Sequence, residues 1–409
     1  MTMNIRTDTL GHTVKAKAVS PVSGKRKPPA PGTTTKYLTI SGDNHMDVVW
    51  YPKGIIQDRI ERKYRDAAPK VVESDKGTMW SWEGSLRVPA ADGADWAKHV
   101  GRQFTDIEVP EGKMPSTDPE VLLTHMDMGA IYAGVFYGNT RKWSFKDRDL
   151  ELAVYRAFND WTREVSNASP DRIIVLPWLP TRYPDACVAE LQRMVKAGAR
   201  AVEFSPADAE TGAPIWSPVW EPLWAAAAEA GVVICGHIGD AAGTPYPPNE
   251  YGQSLAHFSQ VPFNPIGKRV AEFVFSGMFD RYPNLKVSIA ECRIGWLPFL
   301  FQWMDRSHRL RISDSIYPLK ELPTHYIRNN MTFTFEEDYL GAKMLADPEY
   351  GLQEVAIWGL DYPHEQGNTW PDCGPAMERM FGHLDRDLFH ELVWGRTQKL
   401  FGIKGPQTA

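Results

Sequence analysis

The chain has 409 residues, which is long enough for two or three ordinary domains or for one large α/β barrel with insertions. Its 45 basic and 51 acidic residues give a net charge of −6, which argues against broad binding to nucleic acid or to an anionic membrane. No apolar run approaches the roughly 18 residues of a membrane span. The four cysteines lie far apart without a CxxC pair, so the sequence predicts a cytoplasmic protein without disulfides.

The N-terminal segment differs from the rest of the chain. Residues 1–36 hold seven basic residues and one acid, and they are rich in proline. They contain no apolar stretch of the kind found in a secretory signal peptide. The segment is therefore predicted to be a flexible tail or an arm that wraps a partner subunit, and the second interpretation implies a homo- or hetero-oligomer.

From residue 37 onward, short apolar runs alternate with longer helical patterns. The predicted strands are 37–41, 131–136, 172–179, 200–204, 232–237, 286–291, 331–335 and 355–360. Regular alternation of strands and helices indicates parallel strands with crossover helices. Eight such units favour a (β/α)8 TIM barrel over residues 37–403. An open doubly wound sheet is less favoured, and no GxGxxG follows any strand to indicate a nucleotide cofactor.

Two connections are longer than the usual βα loop of about 2–6 residues. They are residues 46–118 after the first strand and residues 239–265 after the fifth strand. Both leave the carboxyl ends of strands, where the active sites of such barrels lie. We expect both insertions to cap that site. Aromatic residues in the first insertion, Trp50 among them, favour a small and partly apolar organic substrate.

Acidic and imidazole side chains stand at the carboxyl ends of five predicted strands. Asp43 and His45 alternate at the end of the first strand and therefore share a face. Carboxylates this close to one another repel, and a divalent cation removes that penalty by using them as ligands. The predicted metal ligands are Asp43, His45, Glu203, His237, Glu291 and Asp361.

These motifs resemble the amidohydrolase superfamily, and specifically its amidohydrolase-related, decarboxylase-like branch. The resemblance covers roughly residues 37–400 and depends on Asp43-x-His45, His237, FVFSGMFDRYPNLKVSIAECRIGWLP and IWGLDYPHEQGNTWP. It implies a metal-dependent TIM barrel with one or two ions. Carried over position by position, it implies ligands at Asp43, His45, His237 and Asp361.

The sequence departs from the superfamily pattern in three places. Asp43-x-His45 replaces HxH, and Glu291 stands where many members have histidine. Glu203 stands where dinuclear members have a carboxylated lysine, and a glutamate there can bridge two ions. This oxygen-rich set suits Zn, Mn or Fe. Two ions are therefore expected, with one ion as the alternative.

Other residues are candidates for catalysis and substrate binding. Asp361 is a candidate general base, and His364 is a candidate acid or base or a further metal ligand. Arg293 is expected to hold a substrate carboxylate, or else to pair with a neighbouring acid. The remaining candidates for the substrate site are His257, from the second insertion, and Trp50.

Three functions remain open from the sequence. The first is a metal-dependent hydrolase or non-oxidative decarboxylase of a small organic molecule. The second is an O2-dependent monooxygenase with a dinuclear Mn/Fe or Fe/Fe centre, which the carboxylates at positions 203 and 291 favour. The third is a partner subunit of a hetero-oligomeric enzyme.

Overall fold

The computed structural model describes residues 36–90, 113–114, 116–138, 142–205, 213–238, 259, 263–311, 317–364 and 370–406. The predicted N-terminal arm, apart from Lys36, lies outside these residues. So do His257 and most of the second insertion.

Each of the eight predicted strands is present, with ends shifted by a few residues. In chain order the strands are Thr39–His45 (β1), Lys70–Ser74 (β2), Gly77–Trp82 (β3), Ser85–Pro89 (β4), Ile131–Tyr137 (β5), Ile173–Val175 (β6), Ala201–Glu203 (β7), Val233–His237 (β8), Val287–Ala290 (β9), Met331–Phe335 (β10) and Ala356–Trp358 (β11). The first strand runs on to His45, so it carries both Asp43 and His45 within regular β structure.

The predicted strands form two parallel sheets. One has the order β1-β5-β6 and the other the order β11-β10-β9-β8-β7. An isolated parallel bridge between Trp178 and Glu203 joins β7 to the segment after β6. A second bridge, between Asn44 and Tyr362, joins β1 to the segment after β11. All of these strand pairings are parallel, as the strand–helix alternation predicts.

Helices connect the parallel strands. They are Pro119–Met128 (α1), Arg148–Ala168 (α2), Pro184–Lys196 (α3), Glu221–Ala230 (α4), Asn264–Phe275 (α5), Met278–Arg281 (α6), Leu297–Arg311 (α7), Pro323–Asn330 (α8), Tyr339–Met344 (α9), Cys373–Phe381 (α10), Arg386–His390 (α11) and Arg396–Leu400 (α12). Asp147 caps α2 by accepting from the N–H groups of Asp149 and Leu150. Gly231 ends α4 with a φ of 64°, which is the left-handed C-terminal residue expected there.

The first insertion contains an antiparallel sheet of its own, with the order β2-β3-β4. Aromatic rings join it to Trp143, in the segment before α2. The Trp143 ring lies 6.1 Å from that of Trp80 and 5.8 Å from that of Tyr51, measured between centroids. Tyr51, Trp80 and Trp82 of this insertion therefore pack against Trp143, which lies outside it.

No helix in the described part of the chain has the length and apolar character needed to cross a membrane.

The junction between the two parallel sheets depends on a buried asparagine of α2. Asn159 Nδ2 donates to Trp178 O at 2.9 Å, and Trp178 N donates to Asn159 Oδ1 at 2.7 Å. The Trp178 ring stacks on Phe158 with 3.7 Å between centroids. Helix α2 thus fixes the residue that bridges to Glu203.

We expect Asn159→Ala to lower the free energy of unfolding by about 2–4 kcal/mol, because it leaves a buried N–H and a buried C=O without partners. Urea denaturation measures this loss. Asn167→Ala on the same helix removes only an exposed contact with Arg163 and serves as the control. Equal effects of the two substitutions would contradict the role of Asn159.

Candidate metal centre

Three predicted ligands meet at the carboxyl ends of β1 and β8. Asp43 Oδ1 lies 3.8 Å from His45 Nε2 and 3.9 Å from His237 Nε2. All three side chains are buried. Because Asp43 and His45 are two residues apart on one strand, both project from the same face of the sheet.

Two further carboxylates complete the cluster. Glu291 Oε2 lies 3.3 Å from His237 Nε2, and Asp361 Oδ1 lies 3.1 Å from His45 Nε2. Glu291 and Asp361 have φ angles of 57° and 60°, a left-handed conformation that costs of order 1–3 kcal/mol in a residue other than glycine. Asp43, His45, His237, Glu291 and Asp361 are called the donor group below.

The donor group fits a divalent cation. Atoms bound to one ion at about 2.1 Å stand about 3.0–3.4 Å apart in octahedral or tetrahedral geometry. The distances of 3.1–3.9 Å here are close to that spacing. Asp43 Oδ1 is also buried without a hydrogen-bond partner among the described residues. A buried carboxylate oxygen that faces two imidazole nitrogens in this way is suited to a metal.

Two of the three carboxylates, Asp43 and Glu291, are costly to ionise without a cation. Burial, followed by repulsion from Asp361 and Glu291, raises the pKa of Asp43 well above its usual range. Burial and Asp361 raise the pKa of Glu291 to about 8. Burial lowers the pKa values of His45 and His237, so both imidazoles are neutral and can offer a lone pair.

Thr334, in β10, holds two members of the donor group in place. Its Oγ1 donates to Asp43 Oδ2 at 3.1 Å and accepts from Glu291 N at 2.8 Å. Gly359 packs closely against Asp43: a Cβ at position 359 would lie only 2.6 Å from Asp43 Cβ, so only glycine leaves room for this carboxylate. The strands therefore fix the carboxylate while leaving Oδ1 directed at the imidazoles.

His364 lies between two carboxylates beside the donor group, and with His45, Glu291 and Asp361 it could also offer an atom to a metal. Its Nδ1 is 2.9 Å from Asp361 Oδ1, and its Nε2 is 2.6 Å from Asp47 Oδ2. The ring stacks on that of His45 with 4.0 Å between centroids. Burial alone would lower the pKa of His364, but Asp361 and Asp47 raise it well above its usual value. For Asp361, burial opposes ionisation, yet His364 and His45 hold its pKa below the usual range.

The sequence favours a loop position for Asp47 over a role in the site. The sequence feature that points to a role is the alternation of Asp43, His45 and Asp47 along the chain. The alternation continues beyond the last residue of β1 and brings Asp47 against His364.

Glu203, the expected bridge between two ions, contacts a lysine, and its role as a ligand stays a prediction. Its Oε1 forms an ion pair with Lys142, and its Oε2 accepts from Gly138 N at 3.2 Å. Neither of the two groups of possible metal donors among the described residues includes Glu203. Lys142 offsets the charge of this carboxylate and lies over the Trp178 ring at 4.9 Å.

Arg293 and Asp338 each contact a partner outside the donor group. Arg293 forms an ion pair with the buried Glu336, not with Glu291. The carboxylate of Asp338 accepts from Ile294 N and Gly295 N, so it holds the backbone turn that follows Arg293.

Trp50 is buried next to the donor group. Its ring centroid lies 6.4 Å from that of His364. The position of His257 lies outside the described residues.

The fold and the donor group can now be compared with known proteins. A family model described as amidohydrolase matches residues 127–403, which is more than half of the chain. This chain belongs to the amidohydrolase family. The resemblance expected from the sequence is thereby confirmed, and the protein is an enzyme of that superfamily. No curated protein matches the chain.

Solved structures share the fold at low sequence identity. An amidohydrolase from Mycobacterium avium subsp. paratuberculosis K-10 has 19% identity and a TM-score of 0.66, over 91% of this chain and 99% of that one. A 2,6-dihydroxybenzoate decarboxylase from Rhizobium has 17% identity and a TM-score of 0.58, over 90% and 100%. A 5-carboxyvanillate decarboxylase from Novosphingobium aromaticivorans DSM 12444, complexed with manganese and 4-hydroxy-3-methoxy-5-nitrobenzoic acid, has 16% identity and a TM-score of 0.60, over 90% and 96%.

We expect Thr334→Val to lower the affinity for Mn²⁺ about 10–100-fold, because the substitution keeps the shape but removes the hydrogen bond that orients Asp43. Isothermal titration with Mn²⁺ measures the change. Thr332→Val is the matched control, since Thr332 Oγ1 bonds Ser288 Oγ on the same strand, two residues earlier. Unchanged affinity in Thr334→Val would contradict the orienting role.

Proposed function

We propose that this enzyme is a metal-dependent, non-oxidative decarboxylase of a small aromatic carboxylic acid. The observation that carries the proposal is the donor group, whose two imidazoles and three carboxylates face one another at the carboxyl ends of the strands. The fold shared with two aromatic-acid decarboxylases supports the same reaction class. We further propose that the eight strands close into a (β/α)8 barrel, that both long insertions cap its mouth, and that the protein is cytoplasmic.

One ion accounts for the donor group better than two. His45 Nε2 lies within 3.8 Å of oxygens from both Asp43 and Asp361, and His237 Nε2 lies within 3.9 Å of oxygens from Asp43 and Glu291. Glu203, the expected bridge to a second ion, is neutralised by Lys142. An oxygen-rich set with two imidazoles suits manganese, which is also present in one structural neighbour.

A bound divalent cation would polarise the oxygens of the substrate and offset their negative charge. His364 holds the proton that the reaction requires. When Asp361 and Asp47 are both ionised, the two short contacts of His364 place a proton on each ring nitrogen. As the bond between the ring carbon and the carboxylate breaks, the electron pair stays on the ring carbon. His364 then protonates that carbon.

Two other side chains position the substrate in this scheme. Arg293 is about one-quarter exposed and is held by the buried Glu336, so it can present its remaining N–H groups to a carboxylate. Trp50 offers an apolar wall beside His364. Hydrolysis uses the same residues with Asp361 as the base, and it remains the alternative within this enzyme class.

The O2-dependent alternative requires two metals joined by a bridging carboxylate. The ion pair between Lys142 and Glu203 removes the residue expected to bridge them, so the geometry favours chemistry without oxygen.

We expect the protein loaded with Mn²⁺ to release CO2 from hydroxylated benzoic acids under strict anaerobiosis, because the proposed reaction transfers no electrons to oxygen. Headspace CO2 and product chromatography measure the reaction, with metal-stripped protein as the control. Activity that appears only when O2 is admitted would overturn the proposal in favour of the oxygenase.

Substitutions of single residues test the ligand assignment. His237→Ala and Asp361→Ala are expected to lower metal affinity by at least about 10–100-fold. That range is found when a residue that only hydrogen-bonds a metal ligand is removed, and loss of a ligand itself should cost at least as much. Glu203→Gln is expected to keep one ion per chain. Elemental analysis of the purified variants measures the stoichiometry. If Glu203→Gln loses one of two ions, the centre is dinuclear and the single-ion assignment is wrong.

A further inference from the structure

A buried histidine of α1 is joined to the segment that follows β11. His125 is 2% exposed, and its Nδ1 lies 2.6 Å from the hydroxyl oxygen of Tyr362. Burial lowers the pKa of His125 to about 4, so the ring is neutral at pH 7. One of the two atoms therefore donates the proton of this hydrogen bond and the other accepts it. The proposed reaction gives neither residue a role.

Trp370 holds His125 in turn. Its Nε1 donates to His125 O at 2.8 Å, and the centroids of the two rings are 5.0 Å apart. The indole also lies edge-on to Tyr362, with 5.5 Å between centroids. A Cβ at Gly129 would lie 2.7 Å from Trp370 Cδ1, so the indole packs directly against the end of α1. The position of the His125 ring is thus fixed by the fold.

The backbone of Tyr362 connects this histidine to the donor group. The carbonyl oxygen of Tyr362 accepts from His45 N at 2.7 Å. Asp361 N, one residue earlier, donates to Asp43 O at 2.9 Å. His364 N donates to Asp361 O at 2.8 Å, which closes the turn. A displacement of Tyr362 would therefore move Asp361 and His364 relative to the imidazole of His45.

The turn needs support from outside. Asp361 has a φ of 60°, and such a conformation persists in a residue other than glycine only when its surroundings hold it. A small cavity lined by Leu122, Met126 and Phe136, among others, lies beside the Tyr362 ring. Packing alone therefore leaves that ring some room to move, and the hydrogen bond from α1 is what fixes the direction of its hydroxyl.

We propose that His125 is a positioning residue of the metal centre, which acts through Tyr362 to fix the turn that carries Asp361 and His364. The inference rests on the proposed metal-dependent function, because it concerns the placement of a proposed ligand and of the proposed proton donor. A residue with a structural role only would change the stability of the fold and leave the metal affinity of the folded chain unchanged.

The variants His125→Leu and His125→Asn separate the hydrogen bond from the shape of the side chain. The two replacements are similar in size, but only asparagine offers a donor and an acceptor near the position of Nδ1. We expect His125→Leu to weaken Mn²⁺ binding by the folded chain about 3–10-fold, which is less than the loss for a residue bonded directly to a ligand. The asparagine variant should stay within about twofold of the wild type.

Isothermal titration with Mn²⁺ measures these affinities, and urea denaturation measures the stability of each variant. Thr124→Val is the control, since it removes a side-chain hydrogen bond to Glu120 O on the same helix. A His125→Leu chain that is less stable in urea but binds Mn²⁺ as tightly as the wild type would have lost a structural contact only, and the proposal would be wrong.

A double-mutant cycle tests the route through Tyr362. If His125 acts through the tyrosine hydroxyl, Tyr362→Phe should weaken Mn²⁺ binding about as much as His125→Leu. The chain with both substitutions should then lose no more affinity than either single variant, because both remove the same hydrogen bond. Additive losses would overturn the route.

Hydrogen exchange of the metal-free chain keeps this inference apart from the proposed function. We expect the amides of His45 and Asp361, followed by mass spectrometry of the peptides that contain them, to exchange faster in His125→Leu than in the wild type or in His125→Asn. Unchanged exchange would overturn the proposal. If the wild type binds no Mn²⁺, the proposed function fails, and the exchange alone decides whether His125 holds the turn.

Discussion

Repulsion among three closely spaced carboxylates, Asp43, Glu291 and Asp361, is the constraint that the rest of the site must meet. Asp43 lies in β1, and Glu291 and Asp361 follow β9 and β11. Asp43 approaches both His45 and His237, whereas Glu291 approaches His237 and Asp361 approaches His45. Removing one such charge from water costs several kcal/mol, and neighbouring like charges add to that cost. A folded chain keeps this arrangement only if something offsets it. A divalent cation is the simplest agent, because it converts each repulsive carboxylate into a ligand.

The backbone contributes to the same arrangement. Glu291 and Asp361 both adopt left-handed conformations just after their strands, where the chain would otherwise run straight on. The turn re-aims each carboxylate into the strand ends. Thr334 serves both sides of this arrangement, because one hydroxyl orients Asp43 and holds the amide of Glu291. The strained backbone at Glu291 and Asp361 and the shared hydroxyl of Thr334 thus fix side chains that would be more mobile on ordinary loops.

The sequence predicted this site better than its surroundings. Period-two alternation and the order of strands located Asp43, His45, His237, Glu291 and Asp361, because strand ends of a parallel sheet meet at one edge. Side-chain partners from distant segments were not predictable in the same way. Lys142 reaches Glu203 across 61 positions, and Glu336 reaches Arg293 across 43, and no local pattern encodes either pair.

Those two ion pairs also explain how basic side chains coexist with a cation site. A lysine or arginine in direct contact with the donor group would satisfy its carboxylates and compete with the metal. Lys142 is instead held by Glu203, and Arg293 by the buried Glu336. Both cations still act on the donor group through their charge: Lys142 adds to the burial that lowers the pKa of His237, and Arg293 opposes the burial that raises the pKa of Glu291. Because each is paired with an acid of its own, neither has to take a carboxylate of the donor group as its partner.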